Sequence, residues 1–186
     1  NIYDFDYGRI YFWDGYSSTF NFFIDVPEGG INAMLGSRGK LYIWAGYQNQ
    51  LLVYEGGDSA IKLKDMPKME QDKFSGIYPQ AVTMWKSLLR YGVAGEGDSI
   101  TVNKGVYTYG STNLRYPDIL TYDYPISTGN YTGSNIKIGC TTVVNKKLLI
   151  GWQDGSGYGI DYVDSSNAPF ASAMVEFLIT DNSAVW

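Results

Sequence analysis

The side chains of this sequence that could do chemistry are mainly carboxylates, because the usual nucleophiles and proton carriers are missing. The 186 residues include no histidine and one cysteine, Cys140. Without histidine there is no Ser/His/Asp or Cys/His couple and no ordinary catalytic zinc site. One cysteine cannot form an intrachain disulfide, and its β-branched neighbours predict that Cys140 is a buried strand thiol. We therefore expect no catalytic residue, no metal site and no cofactor, and we interpret the chain as a non-enzyme.

The acidic residues leave one catalytic route open, which is glycoside hydrolysis by two carboxylates about 5 to 10 Å apart. The sequence has 19 acids and marks out no such pair. Residues 154–161 place carboxylates and a hydroxyl at a spacing loosely like that of a calcium loop, but they lack its ligand alternation and its final Glu. A glycine-rich hairpin turn is therefore the preferred interpretation of 154–161.

Four aromatic residues near predicted loop tips are candidate partner-binding residues: Tyr16, Tyr47, Trp152 and Tyr158. Aromatic rings offer a large contact area at low entropic cost, so they can stack on sugars or anchor a protein partner. Packing within the fold is the alternative role for these rings. Tyr16 and Tyr47 fall in corresponding predicted hairpin loops and Tyr158 in a longer one. We therefore expect the three tyrosines to emerge on the same face of the fold.

Charge and hydropathy narrow the classes of partner. The net charge is -5, and the 14 Lys and Arg residues are spread thinly along the chain. This distribution gives no basic stripe of the kind that neutralises nucleic-acid phosphates. No apolar run approaches the roughly 20 residues of a membrane-spanning helix. The sequence therefore predicts neither nucleic-acid binding nor a membrane span.

An internal repeat predicts the elements that position the loops. Residues 80–92 and 140–152 align without a gap, and each contains an apolar strand, a short basic turn and a second strand that opens with Leu-Leu. Residues 33–46 form a third copy with a longer turn, and 9–15 form a half copy. The apolar spacing of the first segment also fits a helix. Its Thr- and Val-rich partner favours strands in both.

The repeat predicts antiparallel hairpins whose strands continue into a third and then a fourth strand. The hairpins are expected at 31–55, 80–103 and 138–164. The strands that follow the Leu-rich strands are expected at 20–25, 51–55, 100–103 and 160–164. More variable outer strands are expected at 60–64, 119–122 and 171–179.

Four antiparallel strands repeated radially is the plan of a β-propeller, in which each unit buries its faces against its neighbours. The sequence thus predicts an all-β fold of β-propeller-like blades with three to four antiparallel strands, as part of a larger chain. The predicted divisions are a partial blade at 1–30, a blade at 31–78, a blade with an insertion at 79–137 and a blade at 138–186.

The last predicted blade also carries a resemblance to a known family. A Trp/Gly hairpin at 152–161 precedes the segment 171–181, which reads Ala-Ser-Ala-Met-Val-Glu-Phe-Leu-Ile-Thr-Asp. This order resembles the blade signature of propellers in phage tail and other virion proteins, and 39–46 resembles the same pattern. The resemblance implies a structural or host-recognition role in a virion tail, neck or fibre, and it implies no activity.

The same resemblance suggests where the protein acts and what it contacts. The implied location is the virion, with an extracellular location as the alternative. The implied partners are other virion proteins or a host receptor, including a glycan, within a homo- or hetero-oligomeric assembly. A carbohydrate-binding adhesin of cellular origin and a glycosidase of a propeller family remain alternative interpretations.

Overall fold

The structure is a computed structural model that describes residues 8–27, 29–47, 49–66, 75–95, 104–113, 115–124, 126 and 136–163. These residues form fourteen strands in four antiparallel sheets and no helix, which confirms the predicted all-β class. Within the same residues the sheets do not join into a closed propeller. The chain divides into two compact units, Asn1–Met66 and Pro67–Trp186.

The first unit contains a two-stranded and a four-stranded sheet; burial alternates along both strands of the first sheet, as expected for a pleated sheet with one covered face, whereas β4 and β5, the central strands of the second sheet, each have three consecutive buried residues. The two-stranded sheet pairs β1 (Gly8–Phe12) with β2 (Phe22–Val26). The four-stranded sheet has the order β3 (Ile31–Ser37), β4 (Lys40–Ala45), β5 (Gln50–Tyr54) and β6 (Ile61–Lys64). The hairpins predicted at 31–55 and the outer strand predicted at 60–64 are confirmed.

The two sheets of the first unit share a core that includes Ile10 and Ile24 from one sheet and Ile43 and Leu52 from the other.

The direction of β1 differs from the sequence prediction. The Phe12 ring lies 5.0 Å from that of Tyr54, at the end of β5. At the other end of β1, a Cβ added to Gly8 would lie 2.8 Å from Gly30 Cα, and the Gly30 carbonyl accepts a hydrogen bond from Gly46 N at the start of the β4–β5 turn. β1 is therefore parallel to β3 and β5 and antiparallel to β4. The half copy at 9–15 is not the counterpart of β4, and that part of the repeat prediction was wrong.

The second unit contains two sheets. The first has β7 (Ser75–Gly76) and β8 (Val82–Trp85) along one edge of β9 (Leu88–Gly95), followed by β10 (Gly105–Gly110) and β11 (Ile119–Tyr124). The second has the order β12 (Lys137–Val144), β13 (Lys147–Gln153) and β14 (Tyr158–Val163).

These strands test several predictions. The β8–β9 hairpin confirms strands rather than a helix at 80–90, and β11 confirms the outer strand at 119–122. The strand predicted at 100–103 and the outer strand at 171–179 lie outside the described residues. The third strand that the structure does describe in this sheet, β10, was not predicted.

Two-residue turns close the β8–β9 and β12–β13 hairpins. Both residues of each turn have a positive φ. In the β8–β9 turn φ is 51° at Lys86 and 68° at Ser87, and in the β12–β13 turn it is 49° at Asn145 and 67° at Lys146. Two positive φ values are the signature of the type I′ turn that suits twisted hairpins. Since turn 86–87 matches turn 145–146, Leu89 corresponds to Leu148. The gapless alignment of the two segments is therefore one residue out of step with the structure.

The sheets β3–β6, β8–β11 and β12–β14 each contain such a hairpin, and we name their two faces from its turn. The front face carries the second and fourth residues of the strand that follows the turn. The back face is the opposite face. The front-face residues are Leu41 and Ile43 in β4, Leu89 and Tyr91 in β9, and Leu148 and Ile150 in β13.

The sheets of the second unit pack back face to front face. Trp85 and Val106 on the back of β8–β11 share a core with Ile138 and Leu148 on the front of β12–β14. The approach is close, because a Cβ added to Gly92 would lie 2.1 Å from a methyl carbon of Ile138. In the first unit it is likewise the front face of β3–β6 that packs on the earlier sheet. Both units thus stack their sheets in the same sense.

Cys140 lies on the back face of β12–β14 and is exposed, so the prediction of a buried thiol was wrong. The bulge at Gly139, between the pairs that Ile138 and Cys140 make with β13, changes the alternation. Ile138 therefore enters the core while Cys140 points to the other face.

Candidate functional site: two loops braced by aspartates

The loop that joins β1 to β2 is organised around the carboxylate of Asp14. Its Oδ1 accepts hydrogen bonds from the backbone N–H groups of Tyr16 and Ser17, both at 2.8 Å. Its Oδ2 accepts from Ser17 Oγ at 2.8 Å and from Asn21 Nδ2 at 3.1 Å. Trp13 Nε1 donates to the Ser17 carbonyl at 2.7 Å. The loop is therefore held by its own polar groups.

This arrangement affects both the carboxylate and the aromatic residue beside it. The hydrogen bonds from the backbone N–H groups of Ser17 and Tyr16 lower the pKa of Asp14 well below its ordinary value, since they favour the ionised carboxylate. The Tyr16 side chain is 95% exposed. A preorganised backbone loses little entropy on binding, so this loop presents an aromatic ring in a form ready for contact.

A second loop, between β13 and β14, has the same construction. Asp154 Oδ1 accepts hydrogen bonds from Gly157 N at 2.7 Å and from Ser156 N and Ser156 Oγ at 3.1 Å. The Asp154 N–H closes the turn on the Gly157 carbonyl at 3.0 Å. The hydrogen bond from the Gly157 N–H, followed by that from the Ser156 N–H, lowers the pKa of Asp154. Tyr158, next in the chain, is 89% exposed.

The turn predicted at 154–161 is shorter in the structure: residues 154–157 form the hairpin turn, in which the Asp154 carboxylate is engaged by the turn's own donors, and 158–161 already belong to β14. In the described part of the chain, no three His, Cys, Asp or Glu side chains gather as a group that could hold a metal ion.

Tyr47 and Trp152 occupy different settings from these loops. Tyr47 is about half exposed in the β4–β5 turn, beside Gly29. Trp152 lies in β13, half-buried against the core of the second unit, with its indole N–H buried and without a hydrogen-bond partner. Its ring covers Gly159, where an added Cβ would lie 2.8 Å from the indole. These contacts make Trp152 a packing residue.

The expectation that Tyr16 and Tyr47 emerge on the same face is not met. Tyr47 lies at the Gly8 end of β1. A Cβ added to Gly29 would lie 2.8 Å from Tyr47 N, and a Cβ added to Gly8 would lie 2.8 Å from the Cα of Gly30, the residue after Gly29. The Tyr16 loop leaves from the opposite end, after Phe12. The direction of β1, which the half copy misassigned, is the reason for the difference.

Sequence reasoning missed a buried polar cluster on the back face of β8–β11. Arg90 is 5% exposed and forms an ion pair with Asp123, and Thr108 donates to the same carboxylate at 2.5 Å. The guanidinium carbon lies 5.4 Å from the ring centres of Trp85 and Tyr124. The cluster joins β9, β10 and β11. Because the Asp123 carboxylate is engaged in this way, we interpret the cluster as a tie within the sheet rather than as a catalytic acid.

The cluster could not be read from the sequence because Arg90, Thr108 and Asp123 follow no motif and meet only through strand register. Register also explains a second missed feature, the exposed ring cluster of Tyr11, Phe20 and Phe23 on the outer face of β1–β2.

No protein-family model matches the chain, and no curated protein or solved structure matches it. The described segments contain no helix with the length and apolar character needed to cross a membrane. What is established is a β-rich protein with two preorganised aromatic loops.

Proposed function

We propose that this chain is a non-enzymatic virion structural or host-recognition protein that binds its partners through loops carried on propeller-type blades. The observation that carries the proposal is the Asp14 loop, in which a ring exposed almost completely stands on a backbone already held by hydrogen bonds. An aromatic anchor of this kind is typical of a binding surface. The Asp154 loop with Tyr158 repeats the design in the second unit.

Two features support propeller-type blades. The sheets are antiparallel meanders of three to four strands in the order of the chain, apart from the β1–β2 pair and the short β7. In each unit the later sheet turns its front face to the earlier one, as radial repetition of one blade requires. The virion assignment rests on the resemblance of the 152–161 and 171–181 segments.

The test compares the wild-type chain with a Tyr16→Ala/Tyr158→Ala double variant. The control is Tyr116→Ala, which removes an exposed tyrosine from a loop that is held by Asn113 and not by an aspartate. Binding is measured to particles of the source virus and to the surface of its host cells. An anchor residue contributes about 2 kcal/mol or more, so we expect the double variant to bind at least about 10-fold more weakly and the control to bind normally.

The result that would overturn the proposal is equal binding by the double variant, the control and the wild type, with β circular dichroism unchanged in all three. Retention on a glycan array that depends on Tyr16 and Tyr158, without attachment to virus particles, would favour the carbohydrate-binding adhesin instead. Hydrolysis of a chromogenic glycoside that is abolished by a single Asp or Glu substitution would show an enzyme.

A further inference from the structure

We infer that Asp14 and Asp154 are latent isoaspartate sites, at which the hydrogen bonds of each folded loop prevent the Asp–Gly step from isomerising. The inference concerns the covalent stability of the two loops and does not depend on what they bind. Loss of these hydrogen bonds is expected to turn each site into a position of spontaneous modification.

The reaction at an Asp–Gly step uses only groups of the chain and water. The glycine nitrogen attacks Cγ of the protonated aspartic acid, so that an N–Cγ bond forms, the Cγ–OH bond breaks, and the hydroxyl leaves as water with the amide proton. The resulting succinimide takes up one water at either carbonyl, which restores aspartate or leaves isoaspartate. Glycine favours the attack because it has no Cβ to shield its nitrogen.

The only two Asp–Gly pairs of the sequence are those of the two loops. They stand at 14–15 and 154–155, and the 186 residues contain no Asn–Gly pair. Gly15 has a φ of 85° and Gly155 a φ of 88°, which glycine adopts without strain. Both glycines are exposed, so water reaches them. Each loop thus needs aspartate for its hydrogen bonds and glycine for its backbone, and this combination is the reactive one.

At Asp14 the carboxylate is held on both oxygens. Oδ1 accepts from the backbone N–H groups of Tyr16 and Ser17, and Oδ2 accepts from the side chains of Ser17 and Asn21. Asn21 is itself fixed, because its Oδ1 accepts from Asp14 N at 2.8 Å and its N–H donates to the Phe12 carbonyl at 2.7 Å. Attack at Cγ turns the planar carboxyl into a tetrahedral carbon, so the oxygens must leave these donors before the ring can close.

Asp154 is held in a similar way. Its Oδ1 accepts from the backbone N–H groups of Ser156 and Gly157 and from Ser156 Oγ. The hydrogen bond from Asp154 N to the Gly157 carbonyl closes the backbone on the other side of the turn. Ring closure at Gly155 would therefore have to break the turn as well as the contacts of the carboxylate.

The same hydrogen bonds reduce the amount of the reactive form. The hydroxyl leaves readily only from the protonated carboxyl group. The hydrogen bonds from the Ser17 and Tyr16 N–H groups lower the pKa of Asp14, and those from the Gly157 and Ser156 N–H groups lower the pKa of Asp154. At a given pH above these values, each folded loop contains less of the acid form than the unfolded chain does.

Isomerisation would also destroy what each loop presents. In isoaspartate the main chain runs through Cβ and Cγ, which lengthens the backbone by one carbon and moves the free carboxylate to Cα. The carboxylate of residue 14 could then no longer accept from the N–H groups of Tyr16 and Ser17 as it does here. The hydrogen bonds therefore protect the arrangement that holds Tyr16, in addition to ordering it.

The first test compares the full chain in its folded state with the same chain unfolded in guanidinium chloride, at about pH 6 and at one temperature. Isoaspartate is measured at each position by enzymatic methylation and by mass spectrometry of the peptides. We expect it to form at 14 at least about 10-fold more slowly in the folded chain, because a pKa lower by one reduces the protonated fraction tenfold. Formation at 154 should also be slower in the folded chain.

The second test uses Ser17→Ala/Asn21→Ala, which removes both donors to Asp14 Oδ2 and leaves the Asp154 loop unchanged. Position 154 is then the matched control within the same molecule. We expect isoaspartate at 14 to form at least about 2-fold faster than in the wild type, with the rate at 154 unchanged. If the double variant lowers the β circular dichroism, Asn21→Ala alone replaces it.

Two results would overturn the inference. One is an equal rate at 14 in the folded and the unfolded wild type. The other is a folded variant without the Oδ2 donors that isomerises at 14 no faster than the wild type. Both are independent of binding, which the Tyr16→Ala/Tyr158→Ala variant tests.

Discussion

Replacing Gly92 with alanine is expected to destabilise the second unit by forcing its two sheets apart. The added methyl carbon would lie 2.1 Å from Ile138 Cγ2 and 2.4 Å from Ile138 Cβ, whereas carbon atoms normally meet at about 3.5 to 4.0 Å. Ile138 is fully buried and cannot rotate into solvent. Overpacking of this kind costs about 1 to 3 kcal/mol, and the lower entropy of the unfolded alanine chain offsets about 0.4 to 1 kcal/mol. We expect a net loss of about 1 to 2 kcal/mol.

The free energy of unfolding is measured in urea by the fluorescence of the five tryptophans, of which Trp85 and Trp152 lie at the core of the second unit. The matched control is Gly36→Ala, also in a strand, where the added methyl meets nothing within 4 Å and a change within about 0.5 kcal/mol is expected. Adding Ile138→Ala to Gly92→Ala should cost less than the two single losses together, by at least about 0.5 kcal/mol. If Gly92→Ala is as stable as Gly36→Ala, the two sheets do not approach each other at this glycine.

Three further predictions concern charge and backbone. Asp123→Ala leaves the Arg90 guanidinium buried without its carboxylate and should cost about 3 to 5 kcal/mol in urea unfolding, whereas Arg9→Ala, which breaks an exposed pair, should cost less than about 1 kcal/mol. Because the folded pKa of Asp14 lies below its unfolded value, the stabilisation of its loop is complete above the unfolded pKa and is lost only as the pH falls through the folded one. The Asp14 carboxyl resonance should therefore titrate well below about pH 4, and a normal titration would contradict the loop geometry. Lys146→Gly should stabilise the β12–β13 hairpin by about 0.5 kcal/mol, since Asn-Gly is the preferred type I′ pair. Thermal unfolding checks this, and an unchanged or lower midpoint would argue against the positive φ at 146.

Much of the fold could be predicted because hairpins depend on local sequence. Alternating apolar residues on both sides of a two-residue polar turn predict a hairpin whatever its position in the tertiary structure. For this reason β3–β6, β8–β9 and β12–β14 follow the predicted repeat. The apolar spacing at 80–90 also fits a helix, and the Thr- and Val-rich partner segment at 140–152 favoured strands, which the structure shows. Of the two aspartate-braced loops, the sequence marked Tyr16 and Tyr158 as exposed aromatics but did not reveal the aspartates that hold their backbones.

What the sequence determined alone is the strand class, the hairpins and the aromatic residues of the loops, because these depend on neighbours a few residues away. The tertiary structure decided the direction of β1, the one-residue offset between the repeats and the exposure of Cys140. It also brought Arg90, Thr108 and Asp123 together. These features depend on register and on which face a neighbouring sheet covers, and a shift of one residue reverses every side chain of a strand.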